Sequence, residues 1–130
     1  MKIITKDIDY ALRSVIAMFK NKKGRWKIPE LVKETKVSQP FLRKIMQILA
    51  KKGVVKTHKG RNGGFSLDNL NISMHDVICS FAEKVQLHEH LFNGKKCPRF
   101  LNCKVRAELD IMEKEISERL KKIKISDIVD

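Results

Sequence analysis

The stretch from Ser38 to Leu67, SQPFLRKIMQILAKKGVVKTHKGRNGGFSL, restricts the fold of this chain more than any other. Its first part is helical in pattern, because Phe41, Leu42, Ile45, Ile48 and Leu49 share one face at 3.6-residue periodicity. Gly53 then stops the helix, and Val54 and Val55 open an extended run. Thr57-His58-Lys59-Gly60-Arg61-Asn62-Gly63-Gly64 turns the chain back into Phe65-Ser66-Leu67. The stretch therefore reads as a helix followed by a basic, glycine-rich β-hairpin.

The residues before it supply two more helices. Ile8, Leu12, Val15, Ile16 and Phe19 form one stripe of a helix from about Thr5 to Lys20, which Asn21-Lys22-Lys23-Gly24 ends. Pro29 suits the first turn of a second helix that carries Leu31 and Val32 inward and stops near Lys36. Ser38 can cap the third, with Pro40 tolerated in its first turn because the early N–H groups lack helical partners. Two short helices and a hairpin in this order make a winged helix-turn-helix.

The charge has a matching distribution. Residues 1–67 hold 17 Lys and Arg against 4 Asp and Glu, whereas residues 68–130 hold 11 of each, so the net charge of +13 lies wholly in the first part. A solubilising surface explains high charge but not its confinement, which points to a polyanion partner. On the polar face of the third helix, Gln39, Arg43, Lys44, Gln47 and Lys51 can reach base edges and phosphates from a major groove. Ser38 and Pro40 stand at that helix's N-terminus. His58, Lys59 and Arg61 occupy the hairpin turn, where a wing enters a minor groove. Thr5 and Lys6, at the start of the first helix, could touch phosphate, although lysines there serve equally as solvated surface. The expected partner is double-stranded DNA.

Other functions lack their residues. The glycine-rich turn has neither the Walker pattern nor a surrounding βαβ unit. No nucleophile elbow and no paired carboxylates in an apolar setting suggest an enzyme, and no small-molecule substrate is expected. Val15 to Phe19, the longest apolar run, is too short to cross a bilayer, and the first residues lack a signal-peptide core, so a cytoplasmic location without membrane partners is expected.

Beyond Leu67, Ser73 and Asp76 form a capping box that starts a helix with Val77, Ile78 and Phe81. Cys79 within it reads as a buried structural thiol. The pattern breaks down in VQLHEHLFNGKKCPRFLNC, which gathers His88, His90, Cys97 and Cys103, a donor set suited to a soft metal. From Val105 to Ile123, the residues Val105, Leu109, Met112, Ile116, Leu120 and Ile123 make a long seam, with charges between them. So small a chain has little else to cover such a helix, and a homodimer interface is expected there, a helix buried within a monomer being the alternative.

Taken together, Asp9-Tyr10-Ala11-Leu12-Arg13, Ser38 with Phe41-Leu42 and Ile45, Leu49 with Lys52-Gly53-Val54-Val55, Lys59-Gly60, and Gly63-Gly64-Phe65 with Leu67 resemble the Rrf-type winged-helix transcriptional regulators, the family of IscR, NsrR, RirA and CymR. Ile72, Asp76-Val77-Ile78, Cys97, Cys103 and Ile125-Ser126-Asp127-Ile128 extend the resemblance to nearly the whole chain. The resemblance implies a homodimer on a roughly palindromic operator, with the third helix in the major groove and the wing in the minor. Arg43 stands where the family's iron-sulfur regulator is acidic, which shifts the preference from cytosine N4 toward guanine O6 and N7.

Cluster-binding members carry three cysteines in the loop, and Cys97 and Cys103 match the second and third. The first is missing here, with His90 or His88 the nearest substitute; histidine does replace cysteine in Rieske-type centres. Of the family's fourth ligands, Arg106 cannot ligate, whereas Asp9 matches the acidic residue that the nitric-oxide sensor donates from its partner subunit. Asp9 fits ion pairing with a nearby cation equally well.

The reading is thus a mainly α chain, a winged helix-turn-helix with a two-stranded β wing and a long C-terminal dimerisation helix. Residues 1–82 form the DNA-binding domain, 83–103 the sensor loop and 104–130 the dimerisation helix and C-terminal segment, in one compact unit. The implied cofactor is an iron-sulfur cluster of the two-iron, two-sulfur type that sets operator affinity; the alternative is a regulator of the same family without a cluster, using a zinc site or a thiol pair, or controlled by a protein partner.

Overall fold

The computed structural model describes residues 2–21, 24–88, 91–92, 95–96, 98–99 and 101–129. Three helices, α1 (Lys6–Lys20), α2 (Ile28–Thr35) and α3 (Gln39–Lys51), pack against one another. Thr5 caps α1 with its hydroxyl, accepting from the Ile8 N–H at 3.4 Å, and Asp7 and Asp9 sit in the first turn, where the helix dipole favours negative charge. One face of α1 is then buried along its length through Ile8, Ala11, Leu12, Val15, Met18 and Phe19. This stripe is the centre of the core.

The turn between α2 and α3 is held from within. Lys36 adopts a left-handed conformation (φ 59°) and its N–H donates to Val32 O at 2.8 Å. The Thr35 hydroxyl donates to Leu31 O at 2.6 Å and accepts from the Val37 N–H at 3.3 Å, so Val37 enters the core at the bend. Ser38 takes the N-cap position of α3 with an extended backbone, but its hydroxyl makes no capping bond. Its carbonyl accepts from the Leu42 N–H at 3.0 Å, and the hydroxyl is left on the surface.

Two details of α3 and its exit differ from the expected pattern. Met46, not Phe41, completes the buried face with Leu42, Ile45 and Leu49; Phe41 remains 47% exposed. Val54 and Val55 are not yet strand, because both their N–H groups donate to Leu49 O, at 2.9 and 3.4 Å, which closes the helix and leaves no donor for a ladder. Pairing begins one residue later, with β1 (Lys56–His58) antiparallel to β2 (Gly64–Ser66).

Trp26 extends this ribbon from the other side. Its N–H donates to Phe65 O at 2.7 Å and its carbonyl accepts from the Phe65 N–H at 2.8 Å, so the loop before α2 is tied to the outer edge of β2. The indole is 2% exposed and belongs to the core. Glycine is required at two places here. A Cβ on Gly64 (φ +136°) would collide with the Trp26 carbonyl oxygen, and one on Gly63 would strike His58 O.

After the wing, Ser73 and Asp76 exchange the two bonds of a capping box, Asp76 N–H to Ser73 Oγ at 3.1 Å and Ser73 N–H to Asp76 Oδ2 at 2.9 Å, at the start of α4 (Met74–Ile78). The segment expected to be irregular contains a short antiparallel pair, β3 (Leu91–Phe92) with β4 (Lys95–Lys96). The long helix α5 (Lys104–Lys122) follows. Its end returns to the three-helix head: the Met74 N–H donates to Ile123 O and the Ile125 N–H to Ile72 O, both at 2.9 Å. Ile125 is fully buried, which contributes about 1.5–3 kcal/mol, and its 3-10 turn (Ile125–Asp127) packs on α1. Among the described residues, no helix is long and apolar enough to cross a membrane.

Candidate functional site

The surface of α3 and the wing carries most of the residues expected to meet DNA. Ser38, Gln39, Pro40, Arg43, Lys44, Gln47 and Lys51 are all exposed, as are Lys59 and Arg61 in the hairpin turn. Burial of Leu42, Ile45, Met46 and Leu49 rotates the opposite face outward, so Arg43 and Gln47, four residues apart, project from one side. Lys6 joins this face. Its Nζ lies 5.2 Å from the Phe41 ring centroid and 5.7 Å from that of Tyr10, and the two rings meet edge to face at 6.3 Å. Phe41 thereby brings the N-terminus of α1, with Thr5 and Lys6, beside the N-terminus of α3.

Within the wing the roles divide. His58 is half-buried, and its Nε2 lies 2.7 Å from Ser66 Oγ across the ribbon, while that hydroxyl donates to Asp68 Oδ1 at 3.1 Å. This chain of contacts fixes the hairpin. Lys59 and Arg61 stand clear of it at the tip. Arg25, which the sequence reading did not single out, donates from Nη1 to Asn62 O at 2.9 Å and ties the wing tip to the loop that also carries Trp26. No motif marks such a contact, since it joins an exposed arginine to a backbone carbonyl.

The expected metal ligands are more dispersed. Cys97 and His90 lie outside the described residues. Cys103 is the N-cap of α5, where its Sγ accepts from the Arg106 N–H at 3.4 Å. Asp9 pairs with Arg13 one helical turn on, at 3.0 Å and on an exposed surface. His88 Nε2 lies 3.3 Å from Asp110 Oδ1 and 3.5 Å from Glu113 Oε1, both on α5. Neither carboxylate was singled out in the sequence; their i,i+3 spacing puts them on one helix face, but only the fold brings His88 there. An iron-sulfur cluster takes thiolates above all, and of the two candidate thiols Cys103 lies among the described residues and Cys97 does not.

Cys79 is half-buried, with its Sγ 3.4 Å from His75 Nε2. Burial pushes its thiol pKa up, the Asp76 carboxylate adds to the rise, and Lys121 on α5 opposes it. The thiol is thus less buried than the sequence suggested, while its surroundings disfavour the thiolate.

The long seam on α5 divides in two. Leu120 packs on the core near the helix's end, whereas Val105 and Met112 are 68% and 48% exposed, with Leu109 and Ile116 half-buried between them. Glu113 is the one residue of α5 described as buried. Leu101, just before the helix, is 83% exposed.

Comparison with known proteins converges on one family. Residues 4–130 match the Rrf2 family, described as iron-dependent transcriptional regulators. A protein of Aquifex aeolicus named provisionally as an HTH-type transcriptional regulator is 30% identical over 131 residues, covering 98% of this chain and 91% of its own. Protein aau3 of Rhizobium meliloti is 32% identical over 129 residues, covering 97% and 84%. Among solved structures, CymR, the global cysteine regulator of B. subtilis, superposes with a TM-score of 0.77 over 100% of both chains at 20% identity. IscR of T. potens gives 0.73 over 98% of this chain and 85% of its own, at 21% identity. At those identities the likeness establishes the fold: the winged helix-turn-helix. With the family match running from residue 4 to residue 130, the chain belongs to the Rrf2 family of DNA-binding transcriptional regulators.

Proposed function

We propose that the protein is a homodimeric, sequence-specific regulator that binds a roughly palindromic operator in the cytoplasm. In this reading α3 lies in the major groove and the wing tip in the minor groove. The observation that carries it is the exposed set Gln39, Arg43, Lys44 and Gln47 on α3, together with Lys59 and Arg61 at the wing tip. Guanidinium, amide and ammonium groups on a helix buried on its other side can read base edges, and the tip cations can neutralise phosphate. The uncovered Val105 and Met112 support the dimer, because a strip of this kind on a 19-residue helix is what a second copy would bury.

Control would lie in the loop of residues 83–103, between the DNA-binding head and α5. Our reading is a thiol pair, Cys97 with Cys103, that gives up two electrons and two protons to an external oxidant and closes a disulfide. A staphylococcal CymR of the same fold has been crystallised in an oxidized form, at 20% identity and a TM-score of 0.68. The second reading is an iron-sulfur cluster held by Cys97 and Cys103 with His88, His90 or Asp9, favoured by the family's description as iron-dependent.

Two measurements test these statements. Selection from a random duplex pool should return one palindromic sequence, bound with an affinity that falls steeply with salt; unselective binding would refute the proposal. Iron and sulfide analysis after anaerobic purification separates the two controls. A colourless, iron-free protein whose operator affinity responds to oxidation supports the thiol pair, and stoichiometric iron and sulfide with visible absorption support the cluster.

A further inference from the structure

His88 meets two carboxylates of α5, one exposed and one buried. Its side chain is 14% exposed and meets Asp110, 47% exposed, and Glu113, 9% exposed. One ligand atom from each of the three lies within 4.8 Å of the others. The Leu87 N–H donates to Glu113 Oε1 at 2.7 Å, so the buried carboxylate is oriented by the backbone next to the histidine it faces. Asp110 and Glu113 are three residues apart on one face of a regular helix.

We propose that His88, Asp110 and Glu113 form a binding site for one divalent transition-metal ion of the zinc(II) type, separate from the cysteines of the loop. The argument is geometric. A tetrahedral ion with nitrogen and oxygen ligands at about 2.1 Å separates neighbouring ligands by about 3.4 Å. The two distances from His88 Nε2, 3.3 Å to Asp110 and 3.5 Å to Glu113, already have that length. The chemistry agrees: one neutral imidazole and two carboxylates suit a borderline ion and would balance its two charges. Three protein ligands leave a fourth position for water or an exchangeable group. A bound ion would clamp the chain at His88, just before the β3–β4 hairpin, onto the middle of α5, and so set the root of the loop relative to the helix. The alternative occupant is a proton, with a charged imidazole bridging the carboxylates and no metal affinity.

The inference does not depend on what the protein binds as DNA. The test uses the full chain without a histidine tag, stripped with chelator and kept reduced, titrated calorimetrically with Zn²⁺ and optically with Co²⁺. The expected result is one ion per chain, a cobalt spectrum without thiolate charge-transfer absorption, and affinity unchanged in Cys103→Ser. Asp110→Asn and His88→Gln should each weaken binding at least about tenfold. Asp110 is exposed, so Asp110→Asn leaves the fold intact and keeps the test decisive, whereas a change at Glu113 also removes the acceptor of the Leu87 N–H. The proposal is overturned by absence of binding, by thiolate absorption in the cobalt form, or by equal affinity of the wild-type and Asp110→Asn proteins.

Discussion

Gly64→Ala and Gly60→Ala make a matched pair that tests how the wing is held. Both glycines have positive φ, +136° and +98°, so either alanine carries backbone strain of about 1–2 kcal/mol. The surroundings differ. A Cβ at Gly60 meets nothing within 4 Å, whereas at Gly64 it collides with the Trp26 carbonyl. Relief requires moving Trp26 away from β2, which costs the two bonds between Trp26 and Phe65, at about 1 kcal/mol net each. The expected losses are therefore about 1–2 kcal/mol for Gly60→Ala and about 3–4 kcal/mol for Gly64→Ala. Urea unfolding at one fixed protein concentration measures both, since a dimer's stability depends on concentration. If the two variants agree within about 0.5 kcal/mol, the Trp26–Phe65 bridge does not constrain the wing and the reasoning fails.

Three further outcomes follow from the site. Arg43→Ala should relax base preference at one operator position by about 1–3 kcal/mol, while Lys59→Ala weakens all sequences alike and lowers the salt slope by about one; selection and salt titrations separate the two. Met112→Glu, which places a charge in the exposed strip of α5, should shift the protein toward monomer in sedimentation while leaving its helical circular dichroism unchanged. Cys79 has a folded pKa above its ordinary value of 9.0, so its contribution to stability is fully present below pH 9 and fades as pH rises through the folded value. The stability difference between wild type and Cys79→Ala should accordingly be constant below pH 9 and change above it, with wild type losing more.

Much of the head was legible because its signals are local. The apolar stripe of α1, Pro29 and Pro40 in first turns, and the Ser73–Asp76 box each depend on residues within one or two turns of each other, and the structure returns all of them. The exposure of Arg43, Lys44 and Gln47 was legible in the same way, from the face left over when the buried one is assigned, and that of Lys59 and Arg61 from the glycine-rich turn. The misreadings have a common cause. Phe41 was placed inward by periodicity, but it stands at the edge of the buried arc, where Tyr10 and Lys6 cover it from another helix. Val54 and Val55 have strand character, yet both N–H groups are used by the end of α3.

By itself, then, the amino-acid sequence determined the order of helices and hairpin and the polar, basic face of α3, since periodicity, capping and turn chemistry act over short spans; its motifs carried the resemblance to the family. Tertiary structure alone decided what long-range contacts govern. Trp26 completes the wing from 39 residues away. Ile125 closes the core against Ile72. His88, one of several candidate donors in the loop, faces Asp110 and Glu113 on α5. Such pairings depend on how α5 returns to the head, and no local pattern of side chains specifies that path.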